Sequence, residues 1–119
     1  MVCSCINDND NVIKFVKGTS LYIKFNFNED ISIYTDADLI IAKNYGVTPV
    51  ITKSVSITEA KTITFELTVD DTNLFTEFEN GKNSASYIWG LDLYDSSNRI
   101  NVFPQTGNPA PLCIVYKHV

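Results

Sequence analysis

The chain has 119 residues, a formal net charge of −5 at pH 7, and a composition of 45% hydrophobic and 12% aromatic residues. This length suits one domain with its own core, and the composition argues against a disordered chain. The acidic balance without a Lys/Arg cluster argues against a nucleic-acid partner, and no apolar run approaches the ~20 residues that span a bilayer.

The first half of the chain alternates polar loops with short apolar strands. Residues 1–11 are rich in Asn and Asp, which predicts a flexible N-terminal arm, and a single β-sandwich domain is expected over 12–119. Apolar side chains recur at every second position in several short segments. Strands are predicted there, at 12–16, 20–27, 37–42 and 50–55.

The second half contains the clearest strands. Residues 62–68 alternate Thr or Glu with Ile, Phe and Leu, which predicts a strand with one buried face. Asp70 and Asp71 are expected to cap a helix of one or two turns, which carries three apolar residues and ends at Gly81. Those three residues are Leu74, Phe75 and Phe78.

The segment 87–94 contains the only tryptophan of the chain. Its alternate positions Tyr87, Trp89, Leu91 and Leu93 form one apolar face, which predicts a half-buried antiparallel strand. Strands at 99–103 and 112–116 follow. About seven or eight short strands, separated by frequent turns, predict an all-β fold: an antiparallel β-sandwich with one short helix. The predicted core includes Phe25, Phe27, Phe65 and Trp89.

Candidate catalytic groups are few. The only histidine, His118, lies next to the end of the sequence, which is a poor place for a general base. A carboxylate pair would need two carboxyl groups about 5–9 Å apart in an open cleft. Helix capping and turn formation explain most of the acidic residues, so we predict no enzyme and no catalytic residue. The pairs considered are Asp36 with Asp38, Asp70 with Asp71, and Asp92 with Asp95.

Metal-binding patterns are also weak. The run 8–11 resembles the start of a calcium loop, but Val12 stands at the fifth position, and the glycine and the closing glutamate are missing. Cys3, Cys5, Cys113 and His118 supply a formal zinc set whose Cys-x-Cys spacing is unusual. We therefore expect no metal and no cofactor, and leave zinc open. Three cysteines without a disulfide spacing favour folding in a reducing compartment, and without an apolar segment before Cys3 no lipid anchor is expected.

Four tyrosines are harder to bury than the other aromatic residues. Scattered over the surface they need no function, but clustered on one patch they would form a protein interface or a sugar-stacking platform. These are Tyr22, Tyr34, Tyr45 and Tyr94. A carbohydrate-binding or adhesin module is therefore the alternative function.

Four segments of the chain are informative together. They are Pro49-Val-Ile-Thr-Lys53, Thr62-Ile-Thr-Phe-Glu-Leu-Thr68, Asp70-Asp-Thr-Asn-Leu74 and Tyr87-Ile-Trp-Gly-Leu-Asp-Leu-Tyr-Asp95. These segments resemble small immunoglobulin-like domains of tailed-phage baseplate and tail proteins. The chain has Ser84-Ala-Ser86 where that pattern has a glycine, and Gly90 where it has an aspartate. The motif specifies packing, so no functional residue is carried over.

The resemblance implies a bacteriophage virion structural protein with an immunoglobulin-like sandwich. The implied role is that of a baseplate, tail or capsid decoration or adaptor subunit, folded in the host cytoplasm and located in the virion. Its expected partners are other virion structural proteins and further copies of itself. An unpaired edge strand or the N-terminal arm is expected to join neighbours by strand addition.

Overall fold

Nine β-strands and one short helix make up the part of the chain that the computed structural model describes, residues 3–5 and 11–119. The strands are β1 (Cys3–Cys5), β2 (Ile13–Val16), β3 (Leu21–Phe27), β4 (Asp36–Ala42), β5 (Ile51–Ser56), β6 (Thr62–Leu67), β7 (Ser84–Tyr94), β8 (Arg99–Phe103) and β9 (Leu112–Tyr116), and the helix is α1 (Val69–Thr72). The predicted all-β, sandwich-like fold with one short helix is confirmed. Among the described residues, no helix has the length and apolar character needed to span a bilayer.

The strands form a smaller and a larger sheet. In the smaller sheet, β3 lies between β1 and β6 and pairs antiparallel with both. The larger sheet has the order β2-β9-β7-β4-β5, with β8 also paired to β7. The long strand β7 pairs with β4 along one edge and with β9 and then β8 along the other. β2 and β9 run parallel to each other.

The core lies between the two sheets. Phe25, Phe27, Phe65 and Trp89 are all buried, as predicted, with at most 5% of each residue exposed. Trp89 of the larger sheet contacts Phe25 of the smaller sheet at a ring-centroid distance of 5.4 Å. Its indole Nε1 donates to the Asn11 carbonyl oxygen at 3.1 Å, so the polar end of the ring is also satisfied.

The helix is shorter than predicted, and its cap is a different residue. Thr68 is the N-cap: its hydroxyl accepts from the Asp71 N–H, while the Asp71 carboxylate accepts from the Thr68 N–H. Asp71 therefore closes a capping box from the third helical position, and the helix ends at Thr72. The chain then turns to bury Phe75, whereas Leu74 is 54% exposed.

The N-terminal prediction is only partly covered by the described residues. β1 pairs with the end of β3, with Cys3 beside Phe27, inside the segment predicted to be a flexible arm. A three-residue strand is too short to show alternation in sequence. Residues 1–2 and 6–10 of the predicted arm lie outside the described residues.

Candidate interaction surface

The outer face of the larger sheet carries a row of apolar side chains. The register places Ala42 of β4 beside Ile88 of β7, and Ile88 beside Leu112 of β9. Outward positions of a one-sided sheet are usually polar. Here Leu112 is 44% exposed, and the isoleucines on both sides of it are half-buried. We call Ile40, Ala42, Ile88, Leu112 and Ile114 the apolar strip.

A cleft of about 220 Å³ lies above part of the apolar strip. Its floor includes Ile40 and Ile88, and its walls are the β4–β5 and β8–β9 connections. The two walls are tied together because the Tyr45 hydroxyl accepts from the Ala110 N–H at 2.5 Å. Tyr45 is nevertheless 61% exposed, so an aromatic ring stands at the rim of an apolar floor. This combination suits contact with another protein.

Gly90 lies in the floor of the same cleft. A Cβ atom at this position would lie 3.0 Å from the carbonyl oxygen of Phe103 in β8. Such a separation is tighter than most contacts of a Cβ atom, so the backbone of β8 would have to shift by a few tenths of an ångström. Glycine at this position therefore allows β8 to approach β7 closely.

A charged cluster lies farther along the same outer face. Asp38 of β4 and Asp92 of β7 are opposite each other in the register. Arg99 of β8 lies between them, with Nη1 3.0 Å from Asp92 Oδ2 and both Nη atoms 3.3 Å from Asp38 Oδ2. The hydroxyls of Tyr94 and Ser54 donate to Asp38 Oδ1 at 3.1 and 2.6 Å. We call these five residues the Asp38 cluster.

Charge interactions in the Asp38 cluster link neighbouring strands of the larger sheet. Two carboxylates opposite each other on neighbouring strands repel, and the shared guanidinium compensates for this repulsion. The hydrogen bond to Asp92 is the main reason that the pKa of Arg99 is raised, and its contact with Asp38 adds to the effect. Desolvation and the hydrogen bond to Asp38 raise the pKa of Tyr94.

The other carboxylate pairs considered in the sequence have separate roles. Asp95 does not pair with Asp92; it accepts from the N–H groups of Ser97 and Asn98 at 2.8 Å in the β7–β8 turn. Asp36 is the first residue of β4, one position before the predicted start of that strand.

Asp71 combines its capping role with an ion pair. It accepts from Lys53 Nζ at 2.9 Å. Partial burial opposes ionisation of Asp71, but hydrogen bonds from Lys53 and Thr68 outweigh it and lower its pKa.

Two hydroxyl groups fix the connection between β6 and β7. The buried Thr72 hydroxyl donates to the Thr19 carbonyl oxygen at 2.7 Å and accepts from the Gly18 N–H at 3.0 Å, which joins α1 to the β2–β3 turn. The Tyr87 hydroxyl accepts from the Glu77 N–H at 3.2 Å. Both residues belong to the segments that resemble phage domains, and their role there is positional.

The residues of the formal zinc set are only partly described. Cys113 is buried in β9, and burial raises the pKa of its thiol to about 12. His118 is exposed beyond the end of β9. The side chains of Cys3 and Cys5 lie outside the described residues, as do positions 8–10 of the calcium-like run. Within the described part of the chain, no group of three or more His, Cys, Asp or Glu side chains is arranged to hold a metal ion.

The four tyrosines do not form one patch. Tyr22 is on the outer face of the smaller sheet and is 66% exposed. Tyr45 borders the cleft, Tyr94 belongs to the Asp38 cluster at the far end of β4, and Tyr34 packs against the edge of the core. The structure does not bring three of them together, so the sugar-stacking platform gains no support.

Comparison of the chain with protein-family models and with curated proteins finds no significant match.

Proposed function

We propose that this protein is a structural subunit of a bacteriophage virion, with an immunoglobulin-like sandwich that acts through protein contacts. The observation that carries the proposal is the apolar strip on the outer face of the larger sheet. Leu112 is 44% exposed and Ile40, Ile88 and Ile114 are half-buried, and a row of apolar side chains on an outward face is typical of a contact with another protein. The aromatic rim at Tyr45 and the cleft beside it give a partner both area and shape to recognise.

The arrangement of strands supports the immunoglobulin-like part of the proposal. Immunoglobulin-like domains place strands A, B and E in one sheet and C, F and G in the other, with C′ added in variable-type domains. β1, β3 and β6 share one sheet here, while β4, β7, β8 and β9 share the other, with β5 beside β4. The order of the strands along the chain matches the same scheme.

Two side chains of β7 strengthen this correspondence. Many immunoglobulin-like domains have a tyrosine early in strand F whose hydroxyl bonds to backbone a few residues upstream, two positions before a disulfide cysteine. The Tyr87 hydroxyl accepts from the Glu77 N–H, ten residues upstream, at 3.2 Å. Trp89 stands two positions later and contacts Phe25 of the opposite sheet. An aromatic contact thus occupies the place that a disulfide has in antibody domains.

The test uses phage particles from the bacterial host, purified on a density gradient and analysed by quantitative mass spectrometry. We expect the chain in the particles at a fixed copy number. Leu112→Lys charges the exposed part of the apolar strip and should reduce incorporation, whereas Tyr22→Lys, on the smaller sheet, should leave it unchanged. Circular dichroism checks that both variants are folded. Particles that lack the wild-type chain would refute the proposal.

A further inference from the structure

One edge of the smaller sheet is unpaired. The Phe27 N–H donates to the Lys61 carbonyl oxygen at 2.8 Å, which fixes the hydrogen-bonding phase between β3 and β6. In an antiparallel ladder, alternate residues turn both peptide groups towards the neighbouring strand. Thr62, Thr64 and Glu66 therefore direct their N–H and C=O groups away from β3. Among the described residues, no backbone group bonds to β6 on this side.

The other edge strands carry features that discourage pairing. β5 has Lys53 on its core-facing side, ion-paired with Asp71, and an inward-pointing charge protects an edge strand. β8 has a register shift against β7 and is followed by Pro104. β1 and β2 are only three and four residues long.

β6 has none of these protective features. It is six residues long, contains no Lys or Pro, and pairs with β3 in an unbroken register. An edge without such features is a template for pairing with a strand of another chain.

We propose that β6 of one copy pairs antiparallel with β6 of a second copy, so that two three-stranded sheets form one sheet of six strands. This inference rests on the proposed function and names one of its partners. Three strands are few for a sheet, and a two-fold contact closes on itself without leaving a new edge. The side chains of Ile63, Phe65 and Leu67 stay in their own cores.

Side chains select the register of this pairing. With Thr64 opposite Thr64 on the two-fold axis, Thr62 lies opposite Glu66, and about six hydrogen bonds form between the strands. Centring the contact on Glu66 would oppose two carboxylates. Centring it on Phe65 would need the Thr68 N–H, which already donates to Asp71 Oδ2 at 2.8 Å. The Thr64-centred register meets neither obstacle.

The test compares two threonine-to-proline variants by size-exclusion chromatography with light scattering over a concentration series. Thr64→Pro removes an N–H that points to the open edge, so no bond between β6 and β3 is lost. Thr52→Pro in β5 is the matched control. The Ile57 N–H donates to the Thr35 carbonyl oxygen, so in the same ladder the Thr52 N–H points away from β4 to the open edge of β5. We expect the wild type and Thr52→Pro to be dimers. Thr64→Pro should weaken dimerisation by about thirty-fold or more, since two central hydrogen bonds are lost.

A second variant covers the case in which proline disturbs folding. Thr64→Lys keeps the backbone N–H but places two ammonium groups opposite each other, so its dimer should weaken at low salt and recover at high salt. A monomeric wild type, or a Thr64→Pro protein that is folded and dimerises like the wild type, would overturn the pairing. Neither result affects the apolar strip, whose particle assay with Leu112→Lys decides the proposed function separately.

Discussion

Replacing Thr72 with valine tests how the segment between β6 and β7 is held. The Thr72 side chain is fully buried, and its hydroxyl joins α1 to the β2–β3 turn. Valine has nearly the same shape, so the packing of the methyl group is kept while the hydroxyl is lost. The Gly18 N–H and the Thr19 carbonyl oxygen then lose their partner.

The expected magnitude follows from the exposure of those two groups. A buried polar group left without a partner costs about 1–3 kcal/mol. Gly18 and Thr19 are half-buried, so water replaces part of the lost bonding. We expect Thr72→Val to lower the free energy of unfolding by about 2 kcal/mol. Thr72→Ser keeps the hydroxyl and loses one methyl group, which costs about 1 kcal/mol.

Urea denaturation followed by fluorescence of Trp89 measures both variants, because this buried indole is the only tryptophan of the chain. The hydrogen-bond account predicts that Thr72→Val is less stable than Thr72→Ser. If packing of the methyl group dominates, the order is reversed. A Thr72→Val protein at least as stable as Thr72→Ser would refute the reasoning.

Three further predictions address charge and reactivity. The pKa of Asp71 is lower in the folded than in the unfolded state. Its contribution to stability is therefore present above the ordinary aspartate pKa of 3.8 and is lost as the pH falls through the folded pKa. Asp71→Asn should lower the free energy of unfolding by about 1 kcal/mol at pH 7 and flatten its dependence on pH on the acid side, as measured by urea titration. An unchanged slope below about pH 5 would contradict this. Arg99→Met should destabilise the fold because Asp38 and Asp92 lose their shared counter-ion, and adding Asp92→Asn should restore much of the lost stability. Additive losses in this double-mutant cycle would argue against the coupling. Burial raises the pKa of Cys113 to about 12, so its thiol should be alkylated at pH 8 about 10³-fold more slowly in the folded protein than in urea. Peptide-level mass spectrometry measures this rate, and rapid labelling of the folded protein would show that the site opens.

The strands were predictable because their signals are local. β8 and β9 have the predicted bounds, and β6 differs by a single residue, since polar turn residues flank each apolar alternation. The helix was harder to predict. The Thr68-x-x-Asp71 spacing is that of a capping box, and it indicates Thr68 as the cap more directly than the aspartates that we predicted.

The surface features were not predictable because they depend on register between distant segments. Ile88 and Leu112 each look like ordinary strand residues, and only the pairing of β7 with β9 makes them neighbours. The same holds for Asp38, whose partner Asp92 lies on β7 and whose counter-ion Arg99 comes from β8. Sequence patterns show which residues alternate but not which strands lie side by side.

The most direct test of the account is the composition of purified phage particles that carry either the wild-type chain or Leu112→Lys. The account predicts a fixed copy number for the wild type and a marked loss for the variant, with equal amounts of folded protein before assembly. Wild-type chain absent from the particles, or Leu112→Lys incorporated as well as the wild type, would contradict the claim that this face joins the protein to a virion.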